Sequence, residues 1–455
     1  MLKRWNPWSG LAGLPRGVWI LFAVTLINRM GTMVLPFLVL YLTREIGFSA
    51  GRAGLVLTVY GVGALCAAPL AGRLCDRLGA ARVMNLSLFT GAVIFFLFPL
   101  AKTWWSILGM AALLAITAEG FRPASLSIVA SIVPPGDLKR AFAAIRLAIN
   151  LGMSIGPALG GILASFSFHW LFFIDGGTCF LAGVLLLAMP GAFAASQRPH
   201  ESHPHGAPHR AASSVAAFRD PALLLFLFGV MMIAMVFFQH EGAMPLYLVR
   251  DLGLPESFYG LLFTVNTILI VFLEVRLNVA TLHWEHRRAL ALGTVLLGVG
   301  FGGLALARDA WGVIATVVIW TFGEMIALPP MSAYVAEIAP PDRRGEYMGL
   351  YTMSWGVAFT LGPWIGTEAL DRFGGVPLWA GVFVFSLLAA FVMLRTHGRR
   401  ATQPHAAGGA VAAPSSAEEA ALAEEAALAE ERLVAETVTP EPALLPRAVD
   451  AEASP

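Results

Sequence analysis

Six ionisable side chains stand inside stretches of sequence that are otherwise apolar: Arg29, Glu119, Arg122, His240, Glu241 and Glu324. Charged groups are expensive in such surroundings and mark functional positions by default. A carboxylate shielded from water holds a proton readily and yields it when a guanidinium or a bound cation comes close, so proton and substrate can compete for one site. Glu119 and Arg122 share a helical face at a spacing of three, and Asn28 stands beside Arg29. Glu119 is the carboxylate expected to carry a proton, with Glu324 as its main rival. A fixed brace of Glu119 against Arg122 or Arg29 is the plainer alternative. Glu274 lies near the end of its stretch. Asp175 does too, and an interfacial role suits it equally well.

The elements that must hold these groups are membrane helices. Of 455 residues, 57% are hydrophobic and 13% charged, far from the composition of a soluble domain. Apolar segments of roughly 18 residues or more, each able to cross a ~30 Å hydrocarbon core as a helix, recur twelve times. In the first half they cover 17–42, 53–70, 83–101, 104–128, 142–165 and 170–189. In the second they cover 222–248, 259–275, 289–307, 311–333, 348–370 and 376–394. The expected fold class is an all-α membrane protein of twelve transmembrane helices in two six-helix halves related by a pseudo-two-fold axis. Residues 1–189 form the first bundle, 190–221 a cytoplasmic linker, 222–396 the second bundle and 397–455 a largely disordered cytoplasmic tail. The first segment is too long for a signal-peptide core and should stay in the mature chain.

The two halves carry an internal repeat at a constant offset of 206 residues. Leu40 to Gly47 maps onto Leu246 to Gly253, Gly54 and Thr58 onto Gly260 and Thr264, Arg82 onto Arg288, Pro123, Pro134 and Pro135 onto Pro329, Pro340 and Pro341, and Gly156-Pro157 with Gly160 onto Gly362-Pro363 with Gly366. Six crossings between equivalent points give the halves one orientation, related by an axis along the membrane normal. If the N-terminus is cytoplasmic, the inside segments hold twenty Lys and Arg and the outside loops six. The bias places both termini in the cytoplasm by the positive-inside rule, in a multi-pass protein of the cell membrane.

Other classes are disfavoured. The net charge of +1 suggests no nucleic-acid partner, and Cys66, Cys75 and Cys179 have neither disulfide nor zinc spacing. No nucleotide loop, nucleophile triad or metal-ligand cluster is found, so an enzyme is not expected, nor a cofactor. His200, His203, His205 and His209 read as part of a flexible linker rather than a metal tract. Ser416 and Glu419 form a capping box for a short helix in the tail.

Two motifs refine the reading. The loop from Gly72 to Arg82 reads Gly72-Arg73-Leu74-Cys75-Asp76-Arg77-Leu78-Gly79-Ala80-Ala81-Arg82. Gly72 and Gly79 permit close approach and a tight turn, Asp76 can accept hydrogen bonds at a helix terminus, and Arg77 and Arg82 can pair with acids of a neighbouring helix. The loop resembles the G-x-L-x-D-R-x-G-R-R signature of the major facilitator superfamily, departing from it at Ala80 and Ala81. The fifth segment contains Gly152, Gly156, Pro157, Gly160 and Gly161. Small residues four apart make a face for close helix packing, and Pro157 frees a carbonyl. The spacing also resembles the G-x-x-x-G-P-x-x-G-G signature of the drug:proton antiporters in that superfamily. Its second-half copy has Ala358 and Thr367 at the outer positions.

The resemblance implies that the first, fourth, seventh and tenth helices line a central cavity, which places Arg29, Glu119, Arg122, His240, Glu241 and Glu324 along one pathway. The fourth segment departs from the antiporter pattern R-x-x-Q-G, with Ile116 and Glu119 where arginine and glutamine are expected. Met231, Met232, Met235, Phe237 and Phe238 offer an adaptable apolar wall, or equally a lipid-facing one. The expected protein is a secondary transporter, a monomer in the bilayer, that exports small amphipathic or drug-like compounds against protons. A proton-coupled importer of a small nutrient and a non-transporting membrane receptor are the alternatives.

Overall fold

The computed structural model describes residues 13–134, 137–189, 217–281, 283–340 and 343–396. The expectations for the tail from 397, for most of the linker with its four histidines, and for Pro135 and Pro341 in the repeat therefore lie outside the described residues. The linker ends one residue earlier than expected. Asp220 accepts backbone N–H bonds from Ala222 and Leu223 and so caps a helix that begins at Pro221.

The first half contains α1 (Arg16–Met30), α2 (Val34–Arg44), α3 (Ala50–Leu78), α4 (Ala80–Leu97), α5 (Trp104–Ala118), α6 (Phe121–Ile132), α7 (Leu138–Phe166) and α8 (His169–Leu187). The second contains α9 (Pro221–Phe237), the single turn α10 (Ala243–Leu246), α11 (Glu256–Ala280), α12 (His286–Gly303), α13 (Ala310–Ile338), α14 (Arg344–Phe373) and α15 (Gly375–Arg395). There is no strand among the described residues. Helices satisfy their backbone groups internally, which is the condition for crossing lipid. Ten helical stretches are long and apolar enough to cross a membrane. α12 and α14, in the places of the ninth and eleventh expected segments, are outside that set. His286-Arg287-Arg288 opens α12, and Gly, Ser and Thr dilute α14.

Three of the expected continuous segments are broken. The first bends at Gly31 to Met33 between α1 and α2, the fourth at Glu119-Gly120 between α5 and α6, and the seventh at 238–242 between α9 and α10. Each later piece has proline as its third residue, namely Pro36, Pro123 and Pro245. Proline lacks the N–H that would bond four residues back and its ring crowds that carbonyl, so the helix opens there. The carbonyls released are those of Thr32, Glu119 and Glu241. The tenth segment, α13, stays continuous over Pro329 and Pro330.

The repeat also holds at the level of contacts. Thr58 Oγ1 donates to the Thr360 carbonyl at 2.7 Å, and Thr264 Oγ1 donates to the Ser154 carbonyl at 2.9 Å. Adding 206 to Thr58 and Ser154 gives Thr264 and Thr360. These bonds sit in the two interfaces between the halves, α3 against α14 and α11 against α7, which are therefore equivalent. A Cβ on Gly160 would press on Met33 and one on Gly366 on Gln239, again counterparts.

The halves meet tightly at one end. There Arg44 at the end of α2 pairs with Glu256 at the start of α11. The Gly51 N–H donates to Asp371 Oδ2 at 3.2 Å, and Arg250 Nη1 donates to Asp371 Oδ1 at 2.9 Å. At the opposite end, the Arg77 end, a looser contact of 3.3 Å joins Arg146 Nη2 of α7 to Glu274 of α11, with Arg146 mostly exposed.

Candidate functional site

On the inner side of the second half, with Asn150 and Met153 of α7 as its wall from the first, lies a cavity of about 260 Å³ whose lining includes His240, Glu241, Tyr259, Asn266, Trp320 and Glu324. Asn150, Ile270 and Glu324 also line a second space of about 390 Å³ that reaches Arg146, Glu274 and Asn278. Together they form a path from the middle of the protein toward the Arg77 end.

The bend made by Pro245 turns His240 and Glu241 into this cavity. His240 Nε2 lies 3.5 Å from Glu241 Oε1, and its Nδ1 lies 2.6 Å from the Phe237 carbonyl. The Tyr259 hydroxyl donates to the His240 carbonyl at 2.7 Å and fixes the turn from α11. Glu241 Oε2 is buried and has no hydrogen-bond partner among the described residues. Facing the pair from α13, Glu324 Oε2 accepts from Asn266 Nδ2 at 2.9 Å, and the same amide reaches Thr321 Oγ1 at 3.1 Å. The walls are aromatic. Phe237, Phe238, Phe263 and Trp320 surround the imidazole, with Trp320 stacked at 6.4 Å between centroids.

Of the expected apolar wall, Phe237 and Phe238 line this cavity and Met232 is in the core. Met235 instead lines a separate apolar groove shared with Gly366, Phe373 and Phe385.

Arg29, Glu119 and Arg122 gather in the first half, apart from this set. Arg29 and Glu119 are partly exposed and Arg122 is exposed. Glu119 pairs with neither arginine among the described residues. The fixed brace is thus absent. Glu119 is the last residue before the opened turn, and its N–H still bonds to the Ala115 carbonyl.

Asp175 is corrected. It is 1% exposed and sits well inside the bundle, where its carboxylate accepts the Met33 N–H at 3.1 Å and the Val34 N–H at 2.9 Å. It caps α2 at the bend, where the helix N-terminus favours negative charge. Tyr60 is an addition that a search for charges missed. It lines a cavity with Arg29, and its ring meets Phe359 of the other half edge-on at 6.0 Å between centroids. A sequence signal for the bends was also present, since Glu-Gly-x-x-Pro occurs at 119–123 and again at 241–245.

Gly79 has φ +87° and joins α3 directly to α4. Gly72 differs from expectation, because a Cβ there would meet nothing within 4 Å. Asp76, Arg77 and Arg82 are exposed and form no ion pair among the described residues. The glycines of the fifth segment are packing positions. Gly152 and Gly156 lie against the backbone of Arg29 and Met30, and Gly161 lies against that of Glu256 and Ser257.

Apolar helices long enough to cross a membrane, duplicated halves and an aromatic cavity that holds ionisable side chains define a polytopic membrane transporter. The family model of the Major Facilitator Superfamily matches residues 21–255 and 240–435, and the chain belongs to that superfamily. It is similar to the MFS-type transporter YqjV of Bacillus subtilis (strain 168), at 27% identity over 385 residues, covering 83% of this chain and 91% of the relative. It is also similar to the class C tetracycline resistance protein of Escherichia coli, at 25% identity covering 70% and 80% of the two chains. Among solved structures it resembles the nucleoside transporter NupG with a TM-score of 0.72, at 16% identity, covering 84% of this chain and 99% of that one. The chain is a transporter and not an enzyme.

Proposed function

We propose that the protein exports small amphipathic or drug-like compounds across the cell membrane in exchange for protons, as a monomer with both termini in the cytoplasm. The observation that supports this most is the unpartnered Glu241 Oε2 beside His240, facing Glu324 in an aromatic cavity. A buried carboxylate oxygen without a donor is costly. A proton or a cationic group on a substrate would each satisfy it, and one excludes the other. That exclusion is the basis of exchange. Aromatic walls suit flat, weakly polar molecules. The relatives include proteins named for tetracycline resistance and multidrug resistance. Arg73, Arg77, Arg82, Arg287, Arg288 and Arg344 cluster at the end toward which the cavity path leads, which supports a cytoplasmic location for that end. The path then takes substrate from inside the cell.

Glu119 remains a second candidate for the proton, acting from the first half. The experiment is drug-driven proton release from inverted membrane vesicles, followed with an internal pH dye while tetracycline or ethidium is added. The reading expects proton release with the parent and its loss in Glu241→Gln. Accumulation driven in the same direction as the proton gradient would replace export by import. Ligand binding without any flux would mark a receptor.

A further inference from the structure

A cavity inside the first half takes no part in the path described above. It holds about 140 Å³ and is lined by parts of α1, α3, α4, α5, α6 and α8. That is room for a small ion with a few waters and well below the ~300 Å³ of a drug-sized site. Its walls are apolar at Leu88, Phe95, Leu114 and Phe121. Arg29 enters it with a buried Nε that has no partner and with the guanidinium carbon 5.5 Å from the Phe121 ring centre.

The guanidinium has no hydrogen bond or ion pair among the described residues. The acid in the lining, Asp175, is engaged with the Met33 and Val34 amides. Neither Glu119 nor Arg122 bonds to Arg29 among the described residues. Donors without acceptors converge on the same space. Tyr60 and Thr32 line it, and their hydroxyls have no partner among the described residues. Asn28 lines it too and has used one amide hydrogen on Cys179 Sγ at 3.4 Å. A guanidinium with its Nε buried and no counter-charge bonded to it favours an anion, and the Tyr60 and Thr32 hydroxyls and the second Asn28 amide hydrogen can donate to one beside it.

The geometry points to a binding site for a small monovalent inorganic anion, chloride or another halide, held by Arg29 with Tyr60, Thr32 and Asn28. The anion neutralises Arg29 and ties α1 to α3 beside the bend at Gly31. It is a resident of the first half, separate from the transported compound, and stands or falls independently of the export reading.

The test uses the full chain purified in detergent, with chloride exchanged for gluconate, which exceeds the cavity, at constant ionic strength. Chloride should raise Tm saturably by about 3 °C or more, bromide should substitute for it, and the protein should broaden the chloride NMR resonance. Arg29→Gln should lose both effects. Tyr60→Phe keeps the charge and removes one donor, so the half-saturating chloride should rise roughly fivefold. This variant carries the comparison if Arg29→Gln does not fold. A parent protein indifferent to the exchange in both Tm and line width overturns the assignment, and so does a parent-like response in Tyr60→Phe and Arg29→Gln together. A Tm rise with benzenesulfonate and none with chloride would also overturn it, giving the cavity to the acidic group of an organic ligand.

Discussion

Arg44 and Glu256 form an ion pair that joins the last turn of α2 to the first turn of α11, and with it one half of the protein to the other. Glu256 is 11% exposed at its side chain and Arg44 is 47% exposed. A pair open to solvent on one side contributes on the order of 0.5–1 kcal/mol. Alternating access requires this end to part, so Glu256→Gln should shift the balance toward the parted state by roughly two- to fivefold. Spin labels at Glu45 and Leu254 report it as a larger long-distance population. Identical distance distributions in mutant and parent would remove the latch from the mechanism.

Asp175 should matter for stability rather than for proton traffic. Asp175→Ala leaves the Met33 and Val34 amides buried without acceptors and should destabilise the protein by about 2–3 kcal/mol. Asp175→Asn should do less harm, since it keeps one oxygen. Thermal unfolding in detergent ranks the two variants. A fully stable Asp175→Ala with defective proton exchange would show that the carboxylate belongs to the transport chemistry.

Two glycine substitutions should differ sharply. A Cβ at Gly260 would run into the Pro157 carbonyl, while a Cβ at Gly72 meets nothing. Gly260→Ala must push α11 off α7, and overpacking of this kind costs about 1–3 kcal/mol. Yield of monodisperse protein and transport rate should fall for Gly260→Ala and stay near the parent for Gly72→Ala. Equal behaviour of the two would mean that the α7–α11 seam is looser than its geometry.

Beside Glu241, Glu119 in the first half and Glu324 in the second are the carboxylates whose part in coupling a pair of variants can separate. Glu119→Gln and Glu324→Gln both keep shape and remove the titratable group. If Glu119 couples, its variant should lose uphill export by tenfold or more, about 1.4 kcal/mol or more of coupling, while substrate binding and passive exchange persist. Normal uphill export by Glu119→Gln together with failure of Glu324→Gln would assign the proton to α13. Counterflow and gradient-driven flux in the same proteoliposomes separate these outcomes.

Asp76 stands exposed where the Arg77 end is open. Its contacts should form when that end closes, so Asp76→Asn is expected to slow turnover several-fold with little change in substrate affinity. A pure affinity defect would contradict that role.

The repeat was legible before any coordinates, because one offset survives in residues that pack against each other, such as Thr58 and Thr264. The bends were less legible. Hydropathy averages over a window longer than the break, and Glu119-Gly120 interrupts a stretch that is apolar on both sides. Pro123 and Pro245 carried the local signal. Asp175 was misread because its partners are backbone amides 142 and 141 residues away, and an amide leaves no mark in the residue alphabet. Tyr60 is not legible in a search for charges, because a phenol carries none.

The equivalence of the α3–α14 and α7–α11 seams has the form of an isologous contact, in which one patch meets a copy of itself. Before the halves were joined in one chain, such a surface would have made a homodimer of six-helix subunits. In a symmetric dimer of that kind each mutation at the seam acts twice. Fusion removed the constraint, and the drift is visible where Gly161 faces α11 while its counterpart Thr367 crowds Gly54. Each half is then free to change its own cavity without changing the other.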